Sequence, residues 1–427
     1  MTGRITSNML SSNYLRNMQS NLTNMQTLQN QLASGKVIQK ASDNPYTASR
    51  SMQLNAEISS NKQYNENIKD VSNLLDTTDT ALSQIGNVFG RIETLLVNAG
   101  NGAYGDDERT SIQDEVKEKI NELSQILNTS FDGSYIFGGT KTGSKPTTVV
   151  DGVLQYADKA GKSMTAYKKE DGTVTSSVNI TNATYVLDAA DITTLQTELD
   201  NTITPPSSER KTELNALISA GVTSSAYKKE DGTITSSSTT ANKEISLNMI
   251  DVKALQTELN TAVEPRKTEI NGLLEISIPI AQINSDLKVD ISEGVKTDYN
   301  KTAIDVLEFT DKSGKNINVS ELLKNIITDL GSGGTTNNLT TTHLADIQSV
   351  TANLLQQRSE VGSLQNRMDS AQENNETQNY NMTDILSKTE DIDFAETTMQ
   401  YSMMQTVYTA ALQTSAKILP MTILSYL

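Results

Sequence analysis

Near the end of the chain, the twenty residues from Thr397 to Ala416 carry no charge, and ten of them are Ser, Thr or Gln. A run that long has the length of a membrane helix, but its polar half would be unsatisfied in hydrocarbon. Met399, Met403, Val407 and Ala410 fall at helical spacing and predict one apolar stripe flanked by neutral hydrogen-bonding side chains. Such a face suits neither water nor lipid. It suits packing against other protein helices.

The opposite end has the same character. Residues 1 to 42 contain no Asp or Glu, and Ser, Thr, Asn and Gln fill 19 of the first 34 positions. Leu15, Met18, Leu22, Met25 and Leu32 follow a 3,4 alternation broken only at Gln29. This predicts a helix from about Ser11 to Ser34, with Gly35 as its stop. No apolar h-region is present, so a secretory signal peptide is not expected. Asn44 is placed to cap a helix whose first residue is Pro45, where a missing N–H costs nothing.

That second helix carries the strongest periodic signal. Val71, Leu74, Thr78, Ala81, Ile85, Val88, Ile92, Leu95 and Ala99 continue the 3,4 spacing, which predicts a coiled-coil seam ending at Gly100-Asn101-Gly102. A third helix is expected from Asp106 or Asp107, with Ile112, Val116, Ile120, Leu123 and Leu127 as its stripe. Asp132-Gly133 reads as a turn before a short aromatic strand. Further on, residues 287 to 309 read as strands, and Ser320 as the cap of a helix from Glu321 to Leu330. The Gly-rich run from Gly331 to Asn338 reads as a link. A long helix follows with Leu344, Ile347, Leu354, Val361 and Met368, and the polar stretch Gln372 to Asn381 is expected to separate it from the terminal helix.

The middle is duplicated. Ala166 to Ser177 reads AYKKEDGTVTSS and Ala226 to Ser237 reads AYKKEDGTITSS, an offset of 60 that later drops to 56 between Arg210-Lys211-Thr212-Glu213 and Arg266-Lys267-Thr268-Glu269. Each copy predicts a β-hairpin turning at Asp-Gly, followed by helical segments. The fold class expected is therefore mainly α. Long N- and C-terminal helices pair as a coiled-coil-like rod, with an inserted α+β middle region containing a duplicated hairpin-plus-helix module. Residues 1–44 with 375–427 would form a terminal helical layer, and 45–145 with 335–374 a helical rod. Residues 146–334 would form an outer region with the repeats at about 164–219 and 224–275.

Chemistry is hard to find in this sequence. A net charge of −17 disfavours a nucleic-acid partner, and no membrane insertion is expected. With no Cys and a single His, neither a thiolate site nor a two-His metal site can form. His343 reads as a surface or capping residue. Gly161-Lys162-Ser163 ends like a phosphate-binding loop, but Tyr156 stands where its first Gly is needed. Asp106-Asp107-Glu108 and Glu390-Asp391 with Asp393 read as helix-capping acids. No catalytic residue, cofactor or metal is expected.

Several short runs carry a resemblance: Arg4-Ile5-Thr6, Ala33-Ser34-Gly35-Lys36, Ser42-Asp43-Asn44-Pro45, Asn98-Ala99-Gly100-Asn101-Gly102 and Asp132-Gly133-Ser134-Tyr135-Ile136-Phe137-Gly138-Gly139-Thr140. Taken together they make the chain resemble the bacterial flagellin superfamily, over roughly residues 4 to 145 and 340 to 427. The closing Ile423-Leu424-Ser425-Tyr426-Leu427 is nearer the superfamily's hook-associated junction branch than flagellin itself. The resemblance implies a structural protein of the flagellum, standing between hook and filament as a homo-oligomer ring. Its implied neighbours are another hook-associated protein and flagellin. It also implies type III export in an unfolded state, with a cytoplasmic export chaperone on the C-terminal helix. A flagellin-type filament subunit is one alternative, and a type III secreted helical effector or translocator another. The residues expected to carry self-assembly are Leu15, Met18, Leu22, Met25, Leu32, Val71, Leu74, Ile85, Val88, Ile92, Leu354, Val361, Met399, Met403, Val407 and Ala410.

Overall fold

The structure is a computed structural model that describes residues 7–100, 105–169, 171–187, 189–201, 206–220, 225–229, 233–331 and 338–424. Arg4-Ile5-Thr6, Asn101-Gly102, the turn at Pro205, the second Asp231-Gly232 tip, most of the Gly-rich link and Ser425-Tyr426-Leu427 lie outside the described residues. The chain divides into two compact units. One comprises Met1–Asp70, Asp290–Lys296 and Arg367–Leu427, and the other Val71–Val289 and Thr297–Asn366.

Three helices open the chain: α1 (Ser7–Ser34), α2 (Pro45–Ala99) and α3 (Asp106–Leu127). Gly35 ends α1 with φ +73°, a conformation other residues resist. The Asn44 side chain accepts from Thr47 N at 3.2 Å and starts α2 as expected. Within the first unit, α2 buries Ser51, Leu54, Ile58, Asn61, Asn65 and Ile68 along one face. Asn61 donates to Gln378 Oε1 at 3.3 Å, while Asn375 and Asn67 donate to the carbonyls of Ile291 (2.8 Å) and Asp290 (3.2 Å). Polar residues at such core positions fix register at a cost in stability.

In the second unit the buried face of α2 continues through Val71, Leu75, Thr78, Leu82, Ile85, Phe89, Ile92 and Leu96, with Ala81, Val88 and Leu95 as a second buried row. It is wider than the single seam expected from sequence, and Leu75, not Leu74, occupies the core position. Val116, Ile120, Leu123 and Leu127 of α3 are buried as expected. Arg91–Glu115 (2.7 Å) joins α2 to α3, and Arg358–Asp79 (2.9 Å) joins α2 to a later long helix.

Next come β1 (Ser130–Phe131), β2 (Ser134–Tyr135), β3 (Thr147–Val150) and β4 (Val153–Tyr156). Asp132 (φ 49°) and Gly133 (φ 77°) make the tight turn between β1 and β2. Ile136 and Phe137 are buried behind it. Phe137 O accepts from Ala303 N at 2.9 Å, and Thr140 N donates to Gln282 O at 3.0 Å, so this motif anchors segments far along the chain.

The duplicated region contains β5 (Thr165–Lys168), β6 (Val174–Thr175), β7 (Asn179–Thr181), β8 (Ala183–Val186), α4 (Ala189–Leu199) and α5 (Ser208–Ala220) in its first copy. Its second copy contains β9 (Ser225–Lys228), β10 (Ile234–Thr235), β11 (Thr239–Ala241), β12 (Lys243–Ser246), α6 (Met249–Leu259) and α7 (Arg266–Ile276). The hairpins and helices match the expectation, but the copies do not fold separately. One sheet runs β10-β9-β8, the other β12-β5-β6, and β7 pairs with β11 in a two-stranded ribbon. Each hairpin is thus completed by a strand of the other copy.

The outer lobe, built of β8–β10 with α4 and α5, has a core that joins Leu187, Leu195, Leu214 and Leu217 of the first copy to Ala226 and Ile234 of the second. In the inner lobe, built of β5, β6 and β12 with α6 and α7, Arg266 binds Glu258 (2.7 Å), Glu269 (2.8 Å) and the Val174 carbonyl (2.8 Å). Arg210 repeats this in the outer lobe with Glu198, Glu213 and the Ile234 carbonyl. Partial burial pushes the Glu213 and Glu269 carboxyls up. Hydrogen bonds from Thr235, Arg210 and Ser236, or from Thr175, Arg266 and Ser176, outweigh burial and hold each at about 2, against an ordinary 4.5. Between those values the unfolded chain binds protons that the folded lobes refuse. Lobe stability is therefore full above about pH 4.5 and falls as pH drops toward 2. Thermal unfolding across that window should show the fall, and the Glu213→Gln/Glu269→Gln variant should flatten it.

The remaining elements are α8 (Ile278–Ile283), β13 (Lys288–Ser292), β14 (Val295–Asp298), α9 (Ala303–Leu307), β15 (Glu308–Thr310), β16 (Asn316–Asn318), α10 (Val319–Leu330), α11 (Leu344–Glu390) and α12 (Phe394–Leu424). Three expectations are corrected. Residues 303–307 are helical, because Thr302 and Asp305 form a reciprocal capping box inside the strand-like pattern. Asn318, not Ser320, caps α10, accepting from Glu321 N at 3.0 Å. The polar stretch Gln372 to Asn381 does not interrupt α11, which runs unbroken to Glu390 because Asn375 finds a buried partner. The real break is at Asp391 to Asp393.

Candidate assembly interface

The break between α11 and α12 lies against the end of α1. Lys36 pairs with Glu390, Val37 N donates to Glu390 O at 2.6 Å, and Ile392 N donates to Gly35 O at 3.0 Å. Asp393 then starts α12 by accepting from Ala395 N (2.9 Å) and Glu396 N (3.1 Å). Of the three acids read as caps, Asp393 does the capping and Glu390 is the buried partner of a lysine. This double bridge turns the chain so that α12 packs along α1. The Tyr14 hydroxyl donates to the Ala411 carbonyl farther along the pair.

The two helices meet through one row each. On α1 the shielded row is Tyr14, Met18, Asn21, Met25, Leu28 and Leu32, and on α12 it is Thr397, Tyr401, Met404, Tyr408 and Ala411. Both follow the 3,4 spacing of a close helix pair. The stripe read from sequence on α12 is a different row, one or two positions round the helix. Met399 is 64% exposed, Met403 61% and Val407 45%, and Ala410 is exposed beside them. Leu15 (54%) and Leu22 (36%) likewise face outward from α1. The charge-free segment therefore has two apolar rows: one is used within the chain and one is open.

The other predicted interaction residues lie elsewhere. Val71, Ile85, Val88, Ile92, Leu354 and Val361 are buried in the second unit, and Leu74 is half-buried there. They form its helical core.

Among the described residues no group of three or more His, Asp or Glu side chains is placed to hold a metal ion. His343 is not a surface residue. It is buried in a π-helical turn (Leu339–His343) with Nε2 2.9 Å from Asp329 Oδ2, because that turn folds the ring under α10. A cavity of about 150 Å³ is lined by Tyr156, Lys168, Asp251 and Lys324 among others. Asp251, one of its two lining acids, is already paired. Burial pushes the Asp251 carboxyl up, and Lys168 lies 3.6 Å away. Glu308 is also pushed up by burial, and it accepts from Tyr156 Oη (2.8 Å), Met249 N (3.0 Å) and Ile250 N (3.2 Å), closing the start of α6. Among the described residues no helix is long and apolar enough to cross a membrane.

Comparison with known proteins places the paired ends in a family. Residues 5–142 match the bacterial flagellin N-terminal helical region, and residues 344–427 match the flagellin C-terminal helical region. The chain belongs to the bacterial flagellin superfamily. This flagellin-superfamily chain is 24% identical to a flagellin of Clostridium tyrobutyricum over 403 residues, covering 93% of this chain and 94% of that one. It is 30% identical to flagellar hook-associated protein 3 of Salmonella typhimurium over 152 residues, covering 34% of this chain and 48% of that one. Among solved structures, the flagellar hook-associated protein-3 of Legionella pneumophila aligns with a TM-score of 0.38 at 15% identity, over 79% of this chain and 98% of that one. Bacillus cereus FlgL aligns with a TM-score of 0.39 at 14% identity, over 78% and 99%. Both family regions end short of the duplicated segment, so the superfamily's signature in this chain is α1 to α3 with the first hairpin, plus α11 and α12.

Proposed function

We propose that this protein is a structural subunit of the bacterial flagellum, a hook-associated junction protein that stands between hook and filament and adapts one to the other. The observation that carries this reading is the exposure of apolar Leu15 and Leu22 on α1 and of Met399, Met403 and Val407 on α12, the paired terminal helices. Neutral side chains of that kind let many copies pack without charge repulsion, and exposed apolar side chains grouped on a helix face mark interaction sites. Copies form a ring through these helices, with another hook-associated protein on one side and flagellin on the other. The role is non-catalytic.

Before assembly the chain is exported through the flagellar type III apparatus. A cytoplasmic chaperone covers α12, whose open row would otherwise associate prematurely. The match to hook-associated protein 3 of Salmonella typhimurium supports the junction assignment. A filament-subunit reading is favoured by one observation, the nearly full-length match to a flagellin. Immunogold labelling of isolated hook–filament complexes separates them. A single band at the distal end of the hook is the expected result. Label along the whole filament would establish the filament reading, and label on neither would return the chain to a secreted helical effector.

A further inference from the structure

The strand exchange in the duplicated region has the geometry of a domain swap. The two hairpins are identical at eleven of twelve positions, differing only at Val174 and Ile234. Each third strand sits on its hairpin in the same register: Ala183 faces Lys228 and Val186 faces Ser225, as Lys243 faces Lys168 and Ser246 faces Thr165. The arginine clamps onto the hairpins are also equivalent, Arg210 on the Ile234 carbonyl and Arg266 on the Val174 carbonyl. Nothing in these contacts tells β8 which hairpin belongs to its own copy.

The connectors decide it. Asn242 N donates to Val178 O at 2.8 Å, and Asn182 N donates to Ser238 O at 2.9 Å. Asn182 and Asn242 are equivalent positions of the repeat. A Val178 O to Asn182 N bond would therefore close the first copy on itself, with residues 179–181 as a three-residue turn. Instead Asn179-Ile180-Thr181 is extended and pairs with Thr239-Thr240-Ala241, so that Ile180 faces Thr240, its own counterpart. Neither triplet contains the Gly that a three-residue turn favours, and β-branched residues fill four of the six positions.

We propose that residues 179–181 and 239–241 are swap hinges whose β-prone sequence holds the repeats in the exchanged form, and that a second copy of this chain can take the place of the missing repeat. A repeat of this kind is complete only with a partner, and duplication supplies that partner in the same chain.

The test uses the full chain with residues 183–242 removed, leaving one whole repeat and its native hinge. Light scattering should show a dimer. The same deletion with Ile180→Asn and Thr181→Gly, a turn-forming hinge, should be monomeric at the same concentration. Both variants share the terminal helices, so only the hinge can produce the difference. Equal mass with either hinge would overturn the proposal. Since the shortened chain could fail to fold, the intact chain gives a second reading through engineered cysteines, which are clean because it has none. Thr184→Cys with Tyr227→Cys should cross-link within one chain, and Thr184→Cys with Tyr167→Cys should not. Turn-forming substitutions in both hinges should reverse the two yields. Unchanged yields would also overturn the proposal.

Discussion

The Met399→Asp/Met403→Asp variant is expected to fold as the native monomer does and to fail in assembly. Both side chains are more than 60% exposed, so the substitutions touch no packed surface within the chain. Exposed changes of this kind usually shift stability by less than about 0.5 kcal/mol. Burying a methionine against a neighbouring copy contributes about 1.5–3 kcal/mol. Losing two, and placing a carboxylate where each stood, weakens every contact by at least about 3 kcal/mol, or over 100-fold in affinity. The shielded row on the same helix offers the contrast. Tyr408→Asp should unfold the α1–α12 pair in the isolated chain, which circular dichroism would register. Cells carrying the Met399→Asp/Met403→Asp variant should shed filaments although the purified protein melts normally. Attached filaments in normal number would remove the open row from the assembly surface.

Gly139→Ala should be among the most damaging single-methyl additions in the described chain. Gly139 has φ +56°, and a Cβ there would stand 2.5 Å from the Ile283 carbonyl oxygen. Backbone on both sides of the clash is fixed, by Thr140 N donating to Gln282 O and by Ala303 N donating to Phe137 O. The cost combines left-handed strain with overpacking, at about 3 kcal/mol or more. Gly86→Ala is the control. It lies in α2 with open space around its Cβ position, and it should stabilise by up to about 1 kcal/mol. Urea unfolding of the two variants should move in opposite directions. A neutral Gly139→Ala would mean the motif after the first hairpin is not the anchor described above.

Local chemistry was legible in the sequence wherever the deciding partner is near in the chain. Gly35, Asn44, the acids in the first turn of α3 and the Asp132-Gly133 turn all act within a few residues of themselves, and the structure keeps each element boundary they predict. Errors began where a distant group decides. Ser320 and Asn318 are equally good caps by type, and only the strand pairing of β16 puts the asparagine at the boundary. The polar stretch after Gln372 looked like a break because its partner, the Ile291 carbonyl, lies 84 residues away. On α12 the spacing points to Met399, Met403 and Val407, while the covered row is Tyr401, Met404, Tyr408 and Ala411. Two apolar rows on one helix share the same periodicity. Only the position of α1 says which is covered. The duplication was plain, yet which hairpin each strand joins could not be read, because the two hairpins are almost the same sequence.

The bond between Val178 and Asn242 has a mechanical meaning. The chain leaves for the outer lobe and returns at points one hydrogen bond apart. A lobe hung this way lies outside the load path. Tension carried by the polypeptide on either side passes between the two attachment points without stretching the lobe, whatever its size. An insert of this design can lengthen, shorten or change its sequence while the segments that bear force keep their dimensions.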